Sequence, residues 1–203
     1  MNKRIITTLT LLLASTSLFA QVGIGTVLPT AQLEISNDPL LPNEPLLELN
    51  PQTAPVGTAD GQLAVIDDKL FLYDLARGKW LSTDTTALNF GWAGTADNQV
   101  LWFGGDIELT GPIMPLDGTI VFVTINSTGG NTTKRMDLRI NGTNVGNDPD
   151  PTLDGRINLV AGSFSYSDFN IDFNAGDYIT INAANNGAGV DDPVAVIWVK
   201  WRE

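Results

Sequence analysis

Two stretches, GTIVFVTINS at residues 118–127 and VAVIWVKWRE at residues 194–203, decide the fold that this sequence predicts. Both are rich in β-branched and aromatic residues, which favour extended strands. In each stretch the alternating positions on both sides are largely apolar, so we expect both faces of each strand to be covered. The chain is therefore predicted to contain two central strands of an all-β structure.

The residues around these strands indicate a β-sandwich. From Leu88 onward, short candidate strands recur at intervals of about a dozen residues, as in sandwiches and barrels. Residues 135–140 alternate charged and apolar side chains, so the face that carries Asp137 is expected to meet water. Asn141-Gly142 then predicts a tight hairpin turn. About eight strands with this spacing predict a jelly-roll head over residues 88–203.

The second apolar face of the two central strands needs a cover. Burial of one large apolar side chain is worth about 1.5–3 kcal/mol, and an exposed apolar stripe favours aggregation. A subunit interface around the C-terminal strand would provide this cover. The predicted interface residues are Ile120, Phe122, Val196, Trp198 and Trp201.

The N-terminus has the pattern of a secretory signal peptide over residues 1–20. Lys3 and Arg4 form a basic start, residues 5–13 are apolar, and small residues follow up to Ala20. The apolar run is too short to span a bilayer as a helix. The sequence therefore predicts export, and a mature form that does not insert into a membrane.

The composition excludes several classes of function. The chain has no Cys and no His, which removes disulfides, Ser-His and Cys-His nucleophiles and the commonest zinc ligand. Without Lys3 and Arg4, 9 basic residues face 23 acidic ones, a net charge of −14 that repels nucleic acid. Paired carboxylates could still hydrolyse a glycoside. No residue stands out as catalytic or cofactor-binding, and we predict a non-enzymatic protein.

Two smaller segments precede the head. Residues 21–60 hold short apolar pieces, around Leu33 and around Leu47, separated by prolines that forbid a long helix. They predict an extended β shaft or linker. Residues 61–87 predict a β-meander neck, with strands over residues 63–66, 69–73 and 79–81. In the neck, Tyr73 and Trp80 are expected to pack under a turn, with stacking on a sugar as the alternative.

Parts of the chain resemble known families. QVGIGT after the signal, followed by Pro and an L-x-I strand, resembles exported surface proteins of Bacteroidota-type bacteria and the shafts of phage tail fibres, which implies an intertwined homotrimer. The matching residues are Gly23, Gly25, Pro29, Leu33 and Ile35. The neck is similar to the shaft-to-head segment of the same proteins. That match is carried by Gly61, Leu63, Leu72, Tyr73, Asp74 and Trp80.

Two further resemblances concern the head and its boundary. DFNAGDYITI at residues 172–181 resembles a late core strand of C1q- and TNF-like jelly-roll heads, and those heads are trimers. Asp84-Thr85-Thr86 resembles the O-glycan acceptor of Bacteroidota-type bacteria, which implies Thr85 as the modified residue. Both resemblances agree with an exported trimer at the surface of a Gram-negative-type bacterium.

The head also offers carboxylates to a metal. Asp148, Asp150 and Asp154 share one predicted loop, and Asp191 and Asp192 lie in another. Carboxylates on adjacent loops are a usual source of calcium ligands. Calcium is therefore the cofactor to test here, and a solvated acidic turn is the alternative.

Together these observations predict a secreted, non-catalytic, adhesin-like protein that forms a homotrimer. Its head loops would contact a glycan or a protein partner. The alternatives are a carbohydrate-binding module of a secreted system and a structural subunit of an extracellular matrix or coat.

Overall fold

A computed structural model describes residues 22–24, 33–35, 47–104, 111–145 and 156–203. The chain divides into two compact units, Met1–Asn50 and Pro51–Glu203. The predicted signal peptide over residues 1–20, and the predicted calcium ligands Asp148, Asp150 and Asp154, lie outside the described residues.

Every regular element that the described residues form is a β-strand, which confirms the all-β prediction. The strands are β1 (Val22–Ile24), β2 (Leu33–Ile35), β3 (Leu63–Ile66), β4 (Lys69–Asp74), β5 (Lys79–Ser82), β6 (Thr86–Gly91), β7 (Thr95–Ala96), β8 (Gln99–Val100), β9 (Trp102–Phe103), β10 (Gly118–Asn126), β11 (Gly129–Gly130), β12 (Arg135–Ile140), β13 (Thr143–Asn144), β14 (Arg156–Asn158), β15 (Ser163–Tyr166), β16 (Ile171–Phe173), β17 (Ile179–Ala183), β18 (Val190–Asp191) and β19 (Val194–Trp201).

The described residues of the first unit include one pair of strands. β1 and β2 run parallel, with Val22 opposite Leu33 and Ile24 opposite Ile35. The predicted strand at Leu33–Ile35 is thereby confirmed. The alternation of Leu47 and Leu49 also predicts a strand, and this prediction is wrong, because residues 47–50 form no strand and Leu47 is 62 % exposed. A single short apolar alternation does not make a strand when no neighbouring strand completes its hydrogen bonds.

The second unit is the predicted jelly-roll-like sandwich. A six-stranded antiparallel sheet has the order β15-β10-β19-β6-β9, with β16 also paired to β10. A five-stranded sheet has the order β13-β12-β17-β8, with β14 paired to β12. Both sheets contribute side chains to one apolar core, for example Ile197 from β19 and Leu138 from β12. A small third sheet, β11-β18-β7, joins loops of the sandwich.

One predicted strand serves both sheets. The sequence predicts a continuous strand over residues 98–103, but the structure divides it into β8 in the five-stranded sheet and β9 in the six-stranded sheet. Leu101 lies between them and is fully buried in the core. The chain therefore crosses from one layer to the other at Leu101.

A β-bulge changes the predicted alternation along β10. Ile120 pairs with Val199 and Phe122 pairs with Trp198, so Val121 is an extra residue without its own partner on β19. An extra residue shifts the period-two alternation by one position. The sequence placed Ile120 and Phe122 on one face, whereas the structure places them on opposite faces. Ile120 is 0 % exposed and belongs to the core.

The prediction that one face of β12 meets water is also wrong at Asp137. Met136 and Leu138 enter the core as predicted, but Asp137 on the other face is only 3 % exposed. Its carboxylate accepts a 3.0 Å hydrogen bond from Arg135 Nε, and Arg139 approaches to 3.6 Å. A carboxylate at this depth is retained because its charge is paired on both sides.

Residues 63–82 form the predicted three-stranded meander, β3-β4-β5. Asp67 and Gly78 take positive φ angles of 54° and 66° in its two tight turns. A small second core lies on one side of this sheet. It consists of Ala64, Ile66 and Phe71, with Trp80 packed against them.

Candidate binding face

The outer face of the six-stranded sheet, opposite the core, is the candidate site. Cross-strand pairing arranges most of its side chains in three uncharged rows. A fourth row beyond them on the same face, Asp172-Thr119-Lys200, carries charge and is not counted with them. The three uncharged rows are Ser163-Asn126-Val194-Gly91-Trp102, then Ser165-Thr124-Val196-Asn89, then Phe122-Trp198-Ala87. We call these twelve positions the outer face.

None of the twelve positions is ionisable. The whole chain is 17 % charged and carries a net charge of −12, and charged side chains normally concentrate on exposed surface. Three neighbouring uncharged rows that reach solvent are therefore a local departure from the composition of this protein.

The apolar members of the outer face are available to a ligand. Phe122, Val196 and Trp198 are partly exposed and belong to no core cluster, and Val194 is 51 % exposed. Phe122 and Trp198 lie directly opposite each other on adjacent strands. At such pairs the Cβ atoms are about 4.5–5.5 Å apart, so the two rings are neighbours on one surface.

Hydrogen-bonding groups flank these apolar side chains. Asn89, Asn126 and Ser165 are exposed, and Thr124 is partly exposed. The amides offer both donors and acceptors, and the hydroxyls offer both in one atom. No motif in the sequence marks these residues as a site, although Asn89 between the apolar residues Leu88 and Phe90 fits the alternation of a strand with one face in water.

The five predicted interface residues do not come together on one surface. Phe122, Val196 and Trp198 lie on the outer face. Ile120 lies in the core because of the bulge. Trp201 also points toward the core, where its ring meets Phe173 edge to face at 6.3 Å.

The meander closes one end of this sheet through Arg77, in the turn between β4 and β5. The Arg77 guanidinium donates hydrogen bonds to the carbonyl oxygens of Ser167 at 2.7 Å, Phe169 at 2.8 Å and Val121 at 3.3 Å. Its remaining nitrogen forms a 2.6 Å ion pair with Asp74. Val121 is the bulge residue, so the bulge presents a carbonyl that the meander uses.

Asp74 is ionised more readily than an ordinary aspartate. Partial burial raises its pKa, but the hydrogen bonds and charge of Arg77, together with Lys200, outweigh burial and hold the pKa below the ordinary 3.8. A depressed folded-state pKa contributes stability above the ordinary value, and that stability is lost as the pH falls through the folded pKa.

Acid should therefore weaken the attachment of the meander through Asp74. We expect the melting temperature of the wild type to fall between neutral pH and about pH 3, and Asp74→Asn to remove part of that fall. Thermal denaturation followed by circular dichroism across this range measures the effect. Asp68→Asn, an exposed acid in the β3–β4 turn, is the control. An acid response of Asp74→Asn equal to that of the wild type would contradict the assignment.

The acidic loop residues that the structure describes are engaged by the protein itself. The Asp192 carboxylate accepts hydrogen bonds from the Gly94 N–H and the Thr128 hydroxyl, which hold its pKa below the ordinary 3.8. Asp191 accepts a 2.6 Å hydrogen bond from Thr95. Within the described part of the chain, no group of three or more acidic side chains is placed to hold a metal ion.

Tyr73 and Trp80 pack within the meander. Their rings lie 5.2 Å apart, and Trp80 Nε1 donates a 2.8 Å hydrogen bond to the Pro55 carbonyl. Gly57 lies against the Tyr73 ring so closely that an added Cβ would come within 2.0 Å of it. These contacts give both rings the packing role and leave the aromatic residues of the outer face as the candidates for stacking.

A groove of about 330 Å³ lies between the β3–β4 hairpin and the C-terminal residues. Charged residues of both signs line it, including Lys69, Asp117 and Arg202. Asp117 accepts a hydrogen bond from the Ala175 N–H, and Arg202 contacts Asp172 at 3.7 Å. The groove is thus lined by both the meander and the sandwich, and two of its charged residues already have partners within the sandwich.

The comparisons with known proteins name no family. No family model matches the chain, and no curated protein matches it. One solved structure, described as "Crystal Structure of FLHE", aligns with 60 % of this chain and 100 % of its own length, at 11 % identity and a TM-score of 0.30. In the described residues, no helix is long and apolar enough to cross a membrane.

Proposed function

We propose that this chain is an exported, non-catalytic binding protein of the cell surface or extracellular space, adhesin-like in its action. The observation that carries the proposal is the outer face of the six-stranded sheet, where Phe122, Val196 and Trp198 reach solvent without a charged neighbour in any of the three rows. Export rests on the N-terminal signal pattern.

An exposed apolar surface makes an exported protein prone to aggregation, and a binding role explains why such a surface would be kept. Exposed apolar patches favour association, and the largest patch on a monomer is often functional. The centres of binding surfaces are depleted in charge and enriched in aromatic residues. The outer face has both properties, on a chain whose net charge of −12 keeps the rest of the surface soluble.

The absence of catalysis in this proposal follows from the residue types. Without His or Cys, general acid–base chemistry near neutral pH would fall to carboxylates, and several described carboxylates are held by internal partners. Asp74, Asp137 and Asp192 are examples. A carbohydrate-binding module of a secreted system would use the same face, so it remains the nearest alternative.

Labelled residues 21–203 should bind to cell envelopes of the source organism through the outer face. Trp198→Asp removes the larger ring of the aromatic pair and places a charge on this face, and it is expected to abolish binding, because a charge opposes desolvation. Ile113→Asp, at an exposed apolar position outside the face (72 % exposed), should bind like the wild type. Envelope binding that does not respond to Trp198→Asp would refute the proposal.

We also propose that the chain forms the homotrimer that the sequence predicts, and a second surface supports this. On the side of the meander opposite its small core, Leu63 pairs with Leu72 and Val65 with Leu70. Leu63 is 55 % exposed and Leu70 is 41 % exposed. Four aliphatic side chains without a hydrogen-bonding group suit burial against another protein surface. We propose a second copy of the chain as the occupant, since oligomerisation can stabilise an exported chain without disulfides.

Light scattering on the same variants separates assembly from binding. Leu70→Asp is expected to reduce the mass to that of one chain and to leave the fold intact, because Leu70 is exposed. Trp198→Asp should leave the mass unchanged. Loss of the oligomer in Trp198→Asp would move the subunit contact to the outer face, as the sequence alone predicted, and a wild-type monomer would exclude the homotrimer.

A further inference from the structure

We infer that the outer face is a binding site for an uncharged glycan. The inference rests on the proposed function and names the class of ligand. It is carried by four properties of the face, which are its aromatic pair, its hydrogen-bonding rim, its lack of charge and its size.

The aromatic pair offers the surface on which sugar rings stack. Phe122 and Trp198 lie opposite each other and are partly exposed, and Val196 lies one row away on the same strand as Trp198. Aromatic faces carry negative partial charge, and the axial C–H groups of a pyranose carry positive partial charge. Stacking therefore favours a sugar over a ligand that has only polar surface.

The rim supplies partners for hydroxyl groups. Thr124 and Asn89 flank Val196 in the middle row, on strands β10 and β6. Asn126 extends the rim at the end of β10 and is exposed. Each sugar hydroxyl both donates and accepts, and amide and hydroxyl side chains match both roles. The four aliphatic side chains of the meander surface, Leu63, Val65, Leu70 and Leu72, offer no such groups, so the same argument does not apply there.

The lack of charge selects a neutral ligand. The three rows of the outer face hold no ionisable side chain. The nearest charges on this side of the sheet, Asp172 and Lys200, lie in the row beyond Phe122 and Trp198, where Asp172 pairs with Lys79 and Lys200 lies near enough to Asp74 to lower its pKa. The net charge of −12 adds a repulsive field toward anionic polymers. Uronic-acid polysaccharides and nucleic acids are therefore disfavoured.

The size of the face suits a short stretch of glycan. With about 4.8 Å between strands and about 3.3 Å per residue, the three rows cover roughly 13 by 19 Å, or roughly 250 Å². Stable protein interfaces bury about 800 Å² on each partner. The outer face by itself is smaller than such an interface, and it is long enough for a few sugar rings along the Phe122-Trp198 row and its neighbours.

Affinity electrophoresis tests the inference with defined polymers in native gels. Hydroxyethyl cellulose, galactomannan and dextran serve as neutral probes, and polygalacturonate serves as the anionic probe. We expect at least one neutral polymer to retard the wild type and polygalacturonate to have no effect. Trp198→Ala should raise the dissociation constant tenfold or more, and Asn89→Ala should raise it several-fold.

The controls separate a folding defect from a binding defect. Asn89 is exposed, so its replacement does not disturb the core, and Val160→Ala removes a 73 % exposed side chain outside the outer face. Val160→Ala should leave retardation unchanged. Retardation by polygalacturonate alone, or equal retardation of Trp198→Ala and the wild type, would overturn the glycan inference.

Treatment of the envelopes separates the glycan inference from the proposed function. Periodate cleaves vicinal diols of sugars, so it should abolish Trp198-dependent envelope binding, whereas protease treatment should spare it. Binding that survives periodate but is lost after protease would overturn the glycan and leave a binding protein with a protein partner. Binding that never depends on Trp198 would overturn the proposed function itself.

Discussion

Ile120→Ala is expected to lower the free energy of unfolding by about 2–5 kcal/mol, the usual cost of truncating a buried aliphatic side chain. Phe122→Ala, two positions further along the same strand, is expected to cost about 1 kcal/mol. Ile120 is 0 % exposed in the core, whereas Phe122 is partly exposed on the outer face. The smaller side chain, Ile120, is therefore expected to cost more free energy of unfolding on truncation than the larger one, Phe122.

Urea denaturation of the two variants measures this difference, provided that both unfold in one cooperative transition. Val123→Ala is a positive control, since Val123 lies on the core face beyond the bulge and is 0 % exposed. Equal costs for Ile120→Ala and Phe122→Ala would place both residues on one face. That outcome would mean that β10 has no bulge at Val121 and that its side chains follow the simple alternation that the sequence predicts.

Asp97→Asn is expected to destabilise the protein by about 3 kcal/mol, because it leaves a buried ammonium group without its counter-charge. Lys134 is 0 % exposed, and its Nζ lies 2.6 Å from Asp97 Oδ1 and 3.2 Å from the Ala188 carbonyl oxygen. Asp97 is itself 46 % exposed in its side chain. When the pair is broken, water can solvate the Asp97 carboxylate but cannot reach the Lys134 ammonium. The buried lysine charge therefore accounts for most of the cost.

The matched variant is Lys134→Met, which keeps most of the side-chain volume and removes the buried charge. We expect it to cost less than Asp97→Asn, since the remaining carboxylate can be solvated. The double variant should cost no more than Asp97→Asn alone. Thermal and urea denaturation of the three variants measures the series. A larger loss in Lys134→Met than in Asp97→Asn would show that the carboxylate, and not the ammonium, depends on the pair.

Much of the fold could be predicted from local patterns. Gly118–Asn126 and Val194–Trp201 are strands as predicted, and the alternation in Arg135–Ile140 correctly sends Met136 and Leu138 into the core. Asn141 and Gly142 take φ angles of 52° and 77°, as the predicted turn requires. These features depend on backbone preference and side-chain spacing within a few residues, and both are visible in a sequence.

The candidate site could be predicted only in part. Val196 and Trp198 were marked by the apolar alternation of the C-terminal strand, and they lie on the outer face. The rim residues Asn89 and Thr124 join them because β6 and β10 flank β19. A strand order is a long-range property, so the sequence shows the side chains but does not show which of them become neighbours.

By itself, the sequence determined the strands, the turns and the acidic, His-free and Cys-free chemistry of this protein. The tertiary structure decided which apolar residues are buried, because an unpaired residue at Val121 moves Ile120 to the core face. It also decided where charge is buried. Lys134 and Asp137 appear in the sequence as ordinary surface residues, and they are buried because distant or cross-strand partners neutralise them. Which of these residues are buried depends on strand and side-chain pairing between distant parts of the chain. A local sequence pattern does not contain that information.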